Sequence, residues 1–224
     1  MDVNFVSLKS LLGKIQEELK ERDVIKEEVY RDMRRATRLS KQSTLLVHQG
    51  RVKDAETPLE EAKRLLDKLH RKTKSHPDLA YSGIVDAAYE EYSEASVLLM
   101  LVKGGKFPSP KKLGVPSISY ALGLGDVVGE LRRRVLDALK KGDVELAKDT
   151  LLLMEEIYVE LLSMDDAFLI VPGLRRKCDI GRRIIETTRG DVTIETRRSS
   201  LEQSIKELKD AVQRKRKARK PKVR

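Results

Sequence analysis

An all-α fold of six to seven long helices, packed as an antiparallel bundle, is the architecture this sequence predicts. Three observations lead to it. Leu, Lys, Arg, Glu and Ala are abundant while Gly and Pro are few and clustered, the composition of a helical protein. Apolar residues recur three and four apart over long stretches. No segment reads as a convincing strand. With 224 residues the chain is long enough to bury a substantial core. Three Phe and no Trp make that core largely aliphatic.

The first predicted helix runs from about Val3 to His48. Leu8, Leu11, Leu12, Ile15, Leu19, Val24, Ile25, Val29, Met33 and Ala36 carry its helical spacing, and Gly50 is its stop. The second is expected over Thr57–Lys74, with Thr57 as N-cap, Pro58 at the first position and Glu60 three after the cap. Ser75, His76 and Pro77 end it. A third helix starts near Asp78 and reaches Val102. The stretch G-G-K-F-P-S-P-K-K-L-G-V-P, residues 104–116, is rich in breakers and reads as a loop. A fourth helix spans about Ser117–Lys141, closed by Gly142. Asp143 caps a fifth that ends near Ser163. V-P-G at 171–173 precedes a sixth, which is expected to break at Gly190-Asp191 and resume to about Lys215.

The net charge of +10 is unevenly placed. Eight of the 46 basic residues fall in the last eleven, R-K-R-K-A-R-K-P-K-V-R, and without them the excess is only two. Residues 1–213 therefore read as the helical domain and 214–224 as a disordered basic tail, suited to a polyanion or to solubility. Cys178 is the single cysteine, which excludes an intrachain disulfide and points to a reducing cytoplasm. It lacks a neighbouring His and reads as a packing residue. The N-terminus has no basic-then-apolar signal pattern, and no apolar run approaches the roughly 18 residues of a membrane helix.

The chemistry-bearing residues lie on the third and fourth helices. In Y-E-E-Y-S-E-A, residues 89–95, Glu91 and Glu94 share a helix face, while Glu90 is rotated away by about 100°. In L-G-D-V-V-G-E-L-R-R-R, Asp126 and Glu130 are four apart on one face. Gly123, Gly125 and Gly129 line the same stretch, and each costs about 1 kcal/mol relative to Ala in a helix interior. Close approach of a helix or ligand would offset that cost. Two acidic pairs combined into one site require a cation. Oxygen-only donors suit Mg²⁺, Mn²⁺ or Ca²⁺, and a two-metal arrangement hydrolyses phosphodiesters. The same spacing also fits solvated helix faces, with Glu130 pairing to Arg133 or Arg134. A ferritin-like di-iron site is disfavoured, because neither helix contains the His it needs.

These two segments resemble the translin family, and within it the translin-associated factor X (Trax) branch. The string Tyr-x-x-Gly-x-x-Asp-x-x-Gly-Glu-Leu, Tyr120 to Leu131, is its most specific part. R-R-A-T-R-L-S-K-Q-S-T-L-L-V-H at 34–48, K-K-G-D-V and P-G-L-R-R-K-C-D extend the likeness over nearly the whole chain except the tail. The resemblance implies a seven-helix fold assembling into a closed, roughly octameric shell around RNA or DNA. In the catalytic branch, acids on two helices bind a divalent cation and cleave RNA. The matching positions here are Glu91, Glu94, Asp126 and Glu130. The translin branch lacks the acids of the third helix and mainly binds nucleic acid. Retention of all four favours a metal-dependent endoribonuclease using Mg²⁺ or Mn²⁺, in a homo-octamer. The alternative is a translin-like RNA or single-stranded DNA binding protein without catalysis.

Arg34, Arg38, Lys41 and His48 fall four, three and seven apart and form one polar stripe on the first helix. It suits an RNA backbone, where Lys and Arg give affinity without sequence specificity, and equally a solvated face. One of Arg132, Arg133 and Arg134 is expected to serve phosphate or subunit contacts. Tyr89, Tyr92 and Tyr120 read as core residues rather than stacking platforms.

Overall fold

The computed structural model describes residues 7–73, 76–80 and 82–218. Among them are eight α-helices and one 3₁₀ turn, with no strand. The helices are α1 Leu8–His48, α2 Val52–Lys72, α3 Gly83–Val102, α4 Pro110–Leu113, α5 Ser117–Lys140, α6 Val144–Leu162, α7 Ala167–Ile170 and α8 Leu174–Ala218. Six are long, as predicted, and α4 and α7 are single turns inside expected loops. The chain divides after Gly123 into two compact units, so α5 begins in one and continues in the other.

In the first unit α1, α2 and α3 pack together. The α1 side chain of Ser7 caps the helix by accepting from the Ser10 N–H at 3.3 Å. Lys68 bridges Glu28 and Asp32 of α1 at 2.8 Å each, Lys72 also binds Glu28, and Arg35 binds Glu61. Ser43 donates to the Ala55 carbonyl at 2.8 Å. As the α1 partner moves up the chain, the α2 partner moves down, so the two helices run antiparallel. Val29, Met33, Ala36, Ser40, Ser43, Leu46 and Val47 of α1 are buried in this unit. So are Ala55, Leu59, Ala62, Leu66 and Leu69 of α2, whose four-three spacing is the buried stripe.

The N-terminal half of α1 behaves differently. Leu8, Leu11, Leu12, Ile15, Leu19 and Val24 follow the helical spacing yet are exposed. Among the described residues nothing covers this apolar face.

In the second unit α5 and α6 are joined by Lys141, Gly142 and Asp143. Gly142 adopts φ 75°, where a side chain would be strained. Asp143 caps α6 by accepting from the Leu146 N–H at 3.0 Å. Leu174, Cys178, Ile185, Thr188 and Val192 are buried along α8. Val127, Val128, Leu131 and Val135 of α5 and Met154, Ile157 and Leu161 of α6 are buried in the same unit, where α6 packs on α8. Asp126 pairs with Lys177, and Arg132 with Thr188 and Asp191. Partners advance in step, so α5 and α8 run parallel. Beyond Val192, Ile194, Leu201, Ile205, Leu208 and Val212 of α8 are exposed.

Four boundaries differ from expectation. Helix α2 starts at Val52, not Thr57, and Pro58 lies inside it. Proline there withholds one hydrogen bond, but buried Ala55 already belongs to the α1-facing stripe, so packing carries the helix through. The third helix starts at Gly83 rather than near Asp78, because Pro77–Ala80 forms a separate 3₁₀ turn. The sixth helix does not break at Gly190-Asp191. Gly190 meets nothing within 4 Å and keeps a helical φ, and the Asp191 carboxylate is held by Arg132 at 3.0 Å. The last helix also runs through Ala218, so residues 214–218 of the basic run are helical. Residues 3–6 and 74–75, assigned above to helices or their ends, and 219–224 of the tail lie outside the described residues.

Two of the α5 glycines have packing reasons. A Cβ on Gly123 would stand 2.8 Å from the Glu90 carbonyl oxygen and 2.9 Å from Ser93 Cβ, so the first turns of α5 press onto the α3 backbone within the first unit. A Cβ on Gly125 would stand 3.0 Å from Lys177 Cβ and Cδ. Around Gly129 there is open space. Gly123→Ala is expected to lower stability by about 1–3 kcal/mol through forced backbone separation. Gly190→Ala, in an open helix interior, is expected to raise it by up to about 1 kcal/mol. Denaturant midpoints at constant slope measure both, and a loss at Gly190 would contradict the continuous α8.

The α1–α2 ion cluster gives a pH signature. The Lys68 and then the Lys72 ammonium hold the Glu28 carboxyl at about 2, from an ordinary 4.5. A depressed carboxyl stabilises the fold above its unfolded value and stops doing so as pH falls through the folded one. Wild type should therefore exceed Glu28→Gln in urea midpoint at pH 7. The gap should close between about pH 4.5 and 2, and a gap independent of pH would exclude the assignment.

Candidate functional site

Helix α3 is buried on nearly every side from Tyr92 to Leu99, so its few carboxylates stand out. Glu90, Glu91 and Glu94 are half-buried where the helix still meets solvent. Such groups need a countercharge, because burial without one disfavours the ionised form. Helix α1 supplies it. Lys41 Nζ lies 3.0 Å from Glu91 Oε1. The hydrogen bond and charge of Glu91, with a smaller contribution from Glu94, hold the Lys41 ammonium above its ordinary value. The polar stripe of α1 thus leads into the acidic pair: Arg34 and Arg38 are exposed two turns and one turn before Lys41. His48 is half-buried in the last turn of α1.

The second acidic pair belongs to the second unit. Asp126 and Glu130 are half-buried on one face of α5. Lys177 of α8 places its ammonium 2.6 Å from both Asp126 oxygens. Its methylenes lie over Gly125, close enough that a Cβ there would stand 3.0 Å from them. This lysine was missed in the sequence. It stands 51 positions from Asp126, and nothing in R-R-K-C-D singles it out.

Of the three consecutive arginines, Arg132 is committed inside the fold. It donates to Thr188 Oγ1 at 2.7 Å and pairs with Asp191 at 3.0 Å. Arg133 is exposed. Tyr89 and Tyr92 are buried, and burial pushes their hydroxyls up. The half-buried Tyr120 hydroxyl donates to the Pro108 carbonyl at 2.7 Å, fastening the loop before α4 to α5. These tyrosines are structural, as expected. Cys178 is buried, and burial pushes its thiol up, away from nucleophilic reactivity.

The donors Glu91, Glu94, Asp126 and Glu130 are all oxygen, the chemistry of a hard divalent cation. Glu91 and Asp126 already seat a cation, the lysine ammonium. Among the described residues, however, no three or more His, Cys, Asp or Glu side chains are grouped as a ready metal cage. No helix of these residues is long and apolar enough to cross a membrane.

No family model matches the sequence. The solved structure of AfC3PO shares 32% identity, covers 83% of this chain and 96% of its own, and superimposes with a TM-score of 0.75. The chain belongs to the C3PO, or translin, family. Apo-NeC3PO shows the same relation at 28% identity, covering 87% of this chain and 98% of its own, with a TM-score of 0.75. AfC3PO has also been solved as a complex with duplex RNA. An uncharacterized protein of Methanocaldococcus jannaschii, MJ0175, is 33% identical over 195 residues, 85% of each chain. The all-α architecture of this C3PO-family chain is therefore the family's own. Its acidic pairs lie on α3 and α5, the helices expected to carry them.

Proposed function

We propose that this C3PO-family chain is a Trax-like endoribonuclease that assembles as a homo-octameric shell around RNA in the cytoplasm. The observation that carries this reading is the meeting of a basic stripe with an acidic pair: Arg34 and Arg38 lead along α1 to Lys41, which is seated on Glu91. Cationic side chains bind phosphates without reading sequence. A carboxylate pair at the end of such a path is where a phosphodiester would be cut. The duplex RNA held by AfC3PO makes RNA the first ligand to test, with single-stranded DNA second.

In this reading Glu91, Glu94, Asp126 and Glu130 hold Mg²⁺ or Mn²⁺. The ion when bound supplies an activated water and neutralises charge developing on phosphate. The chain's own part is to orient the carboxylates. Glu91 and Glu94 are fixed by a helix buried on most sides, and Asp126 and Glu130 share one face of α5. Arg34 and Arg38 hold the RNA backbone, with His48 farther along the stripe.

A second reading is an RNA-binding protein without catalysis. The lysines already neutralising Glu91 and Asp126 favour it, since they satisfy those acids with no metal. One cleavage assay separates the two. Wild type with Mg²⁺ or Mn²⁺ should cut labelled duplex and single-stranded RNA, and chelation should stop it. Glu94→Gln and Asp126→Asn should each lower cleavage by about 100-fold or more while assembly size and RNA affinity are retained. Cleavage unchanged in both variants would exclude the nuclease reading, and binding with no metal-dependent product would establish the second.

Binding itself has a salt signature. Replacing Arg34 or Arg38 by Ala should weaken affinity similarly for unrelated RNA sequences. Each should also reduce the slope of log K against log salt by about one. An unaltered slope in the double variant would remove the stripe from the interface.

A further inference from the structure

We infer that Lys177 is a built-in competitor of the divalent cation at Asp126, so that Asp126 binds metal only when the Lys177 ammonium lets go. The inference rests on the metal-dependent reading above and concerns what that cation must displace. Three observations carry it. Lys177 Nζ bonds both carboxylate oxygens of Asp126 at 2.6 Å, the two atoms a metal would use. Its side chain is only 21% exposed, so the ammonium is partly withdrawn from water. Its methylenes rest on Gly125, where a Cβ would come within 3.0 Å. The lysine stem is seated tightly on the glycine, and a Cβ there would push it by a few tenths of an ångström.

The contrast with Lys41 shows why one lysine is chosen. Lys41 meets a single oxygen of Glu91 at 3.0 Å and is 63% exposed. Exposed ion pairs of that kind are weak and easily exchanged for water. The Lys177 pair is two-pronged, shorter and less solvated, so it is the costlier to break. Ammonium and metal need the same lone pairs and repel one another, hence their occupancies are mutually exclusive. Lys177 is thus a positioning residue. It holds both oxygens of the half-buried Asp126 in place before metal arrives, and it sets the metal concentration at which the site loads.

The test measures Mn²⁺ binding to the full-length protein, without RNA, by the EPR signal of free Mn²⁺. Wild type is compared with Lys177→Met, Lys177→Arg, Asp126→Asn and the double variant Lys177→Met/Asp126→Asn, each checked for unchanged helical content and assembly size. Lys177→Met keeps the stem over Gly125 and removes the charge, so it should bind Mn²⁺ about threefold or more tightly than wild type. Lys177→Arg should stay near wild type, because it keeps the cation. The gain from Lys177→Met should vanish in the Asp126→Asn background, whereas a general effect of net charge would persist there. Wild-type binding with no gain in Lys177→Met, or a gain that survives Asp126→Asn, overturns the inference and leaves the metal reading standing. Absence of Mn²⁺ binding in wild type and in every variant overturns the metal reading, and this inference with it. Binding seen only once Lys177 is replaced supports the inference in its strongest form.

Discussion

At two positions of helix α5 a close approach requires that a side chain be missing. At Gly123 its backbone comes so near α3 that a Cβ would stand 2.8 Å from the Glu90 carbonyl, and at Gly125 the stem of Lys177 takes the space a Cβ would fill. Interiors are packed too densely to absorb such an atom without movement. Much else depends on these contacts. The first sets the opening turns of α5, up to Gly123, against the backbone of α3 at Glu90 and Glu94 within the first unit. The second brings an ammonium onto Asp126. The helical penalty of glycine is offset by a backbone approach at Gly123 that a Cβ would block and by the close seat of the Lys177 stem at Gly125.

Charge follows packing. Helix α3 is surrounded by apolar side chains, so its glutamates sit at the border between core and solvent, where desolvation makes a countercharge necessary. Lys41 from α1 provides it for Glu91, and Lys177 from α8 provides it for Asp126. The chain solves the same electrostatic problem twice with lysines from different helices. Acids held this way are pre-aimed, and a metal or phosphate arriving there meets charges already in place. The apolar residues of α1 before Ile25 and many of those of α8 beyond Val192 are exposed, in contrast to the buried stripes that follow the same spacing.

Much of the fold was legible because helical periodicity is a local property. The spacing of Val29, Met33 and Ala36, the Asp143 cap and the glycine at 142 locate elements without tertiary information. Pro58 and Gly190 misled for a related reason. Their intrinsic cost is local, whereas what overrides it is distant: the α1-facing stripe around Ala55 in one case, and Arg132 holding Asp191 in the other. Exposure was also invisible. Leu12 and Met33 obey one pattern, yet one faces solvent and the other is fully buried.

For the candidate site the division is similar. The sequence by itself determined which carboxylates share a helix face, Glu91 with Glu94 and Asp126 with Glu130, because a pitch of about 3.6 residues needs no neighbour to operate. It also determined the basic stripe of α1 and the family resemblance. Only the tertiary structure decided which cation each acid holds, which arginine is spent inside the fold, and why two glycines stand where they do. Those outcomes depend on side chains far apart in sequence, such as Asp126 and Lys177, whose meeting is set by helix packing and by nothing in the pattern of either segment.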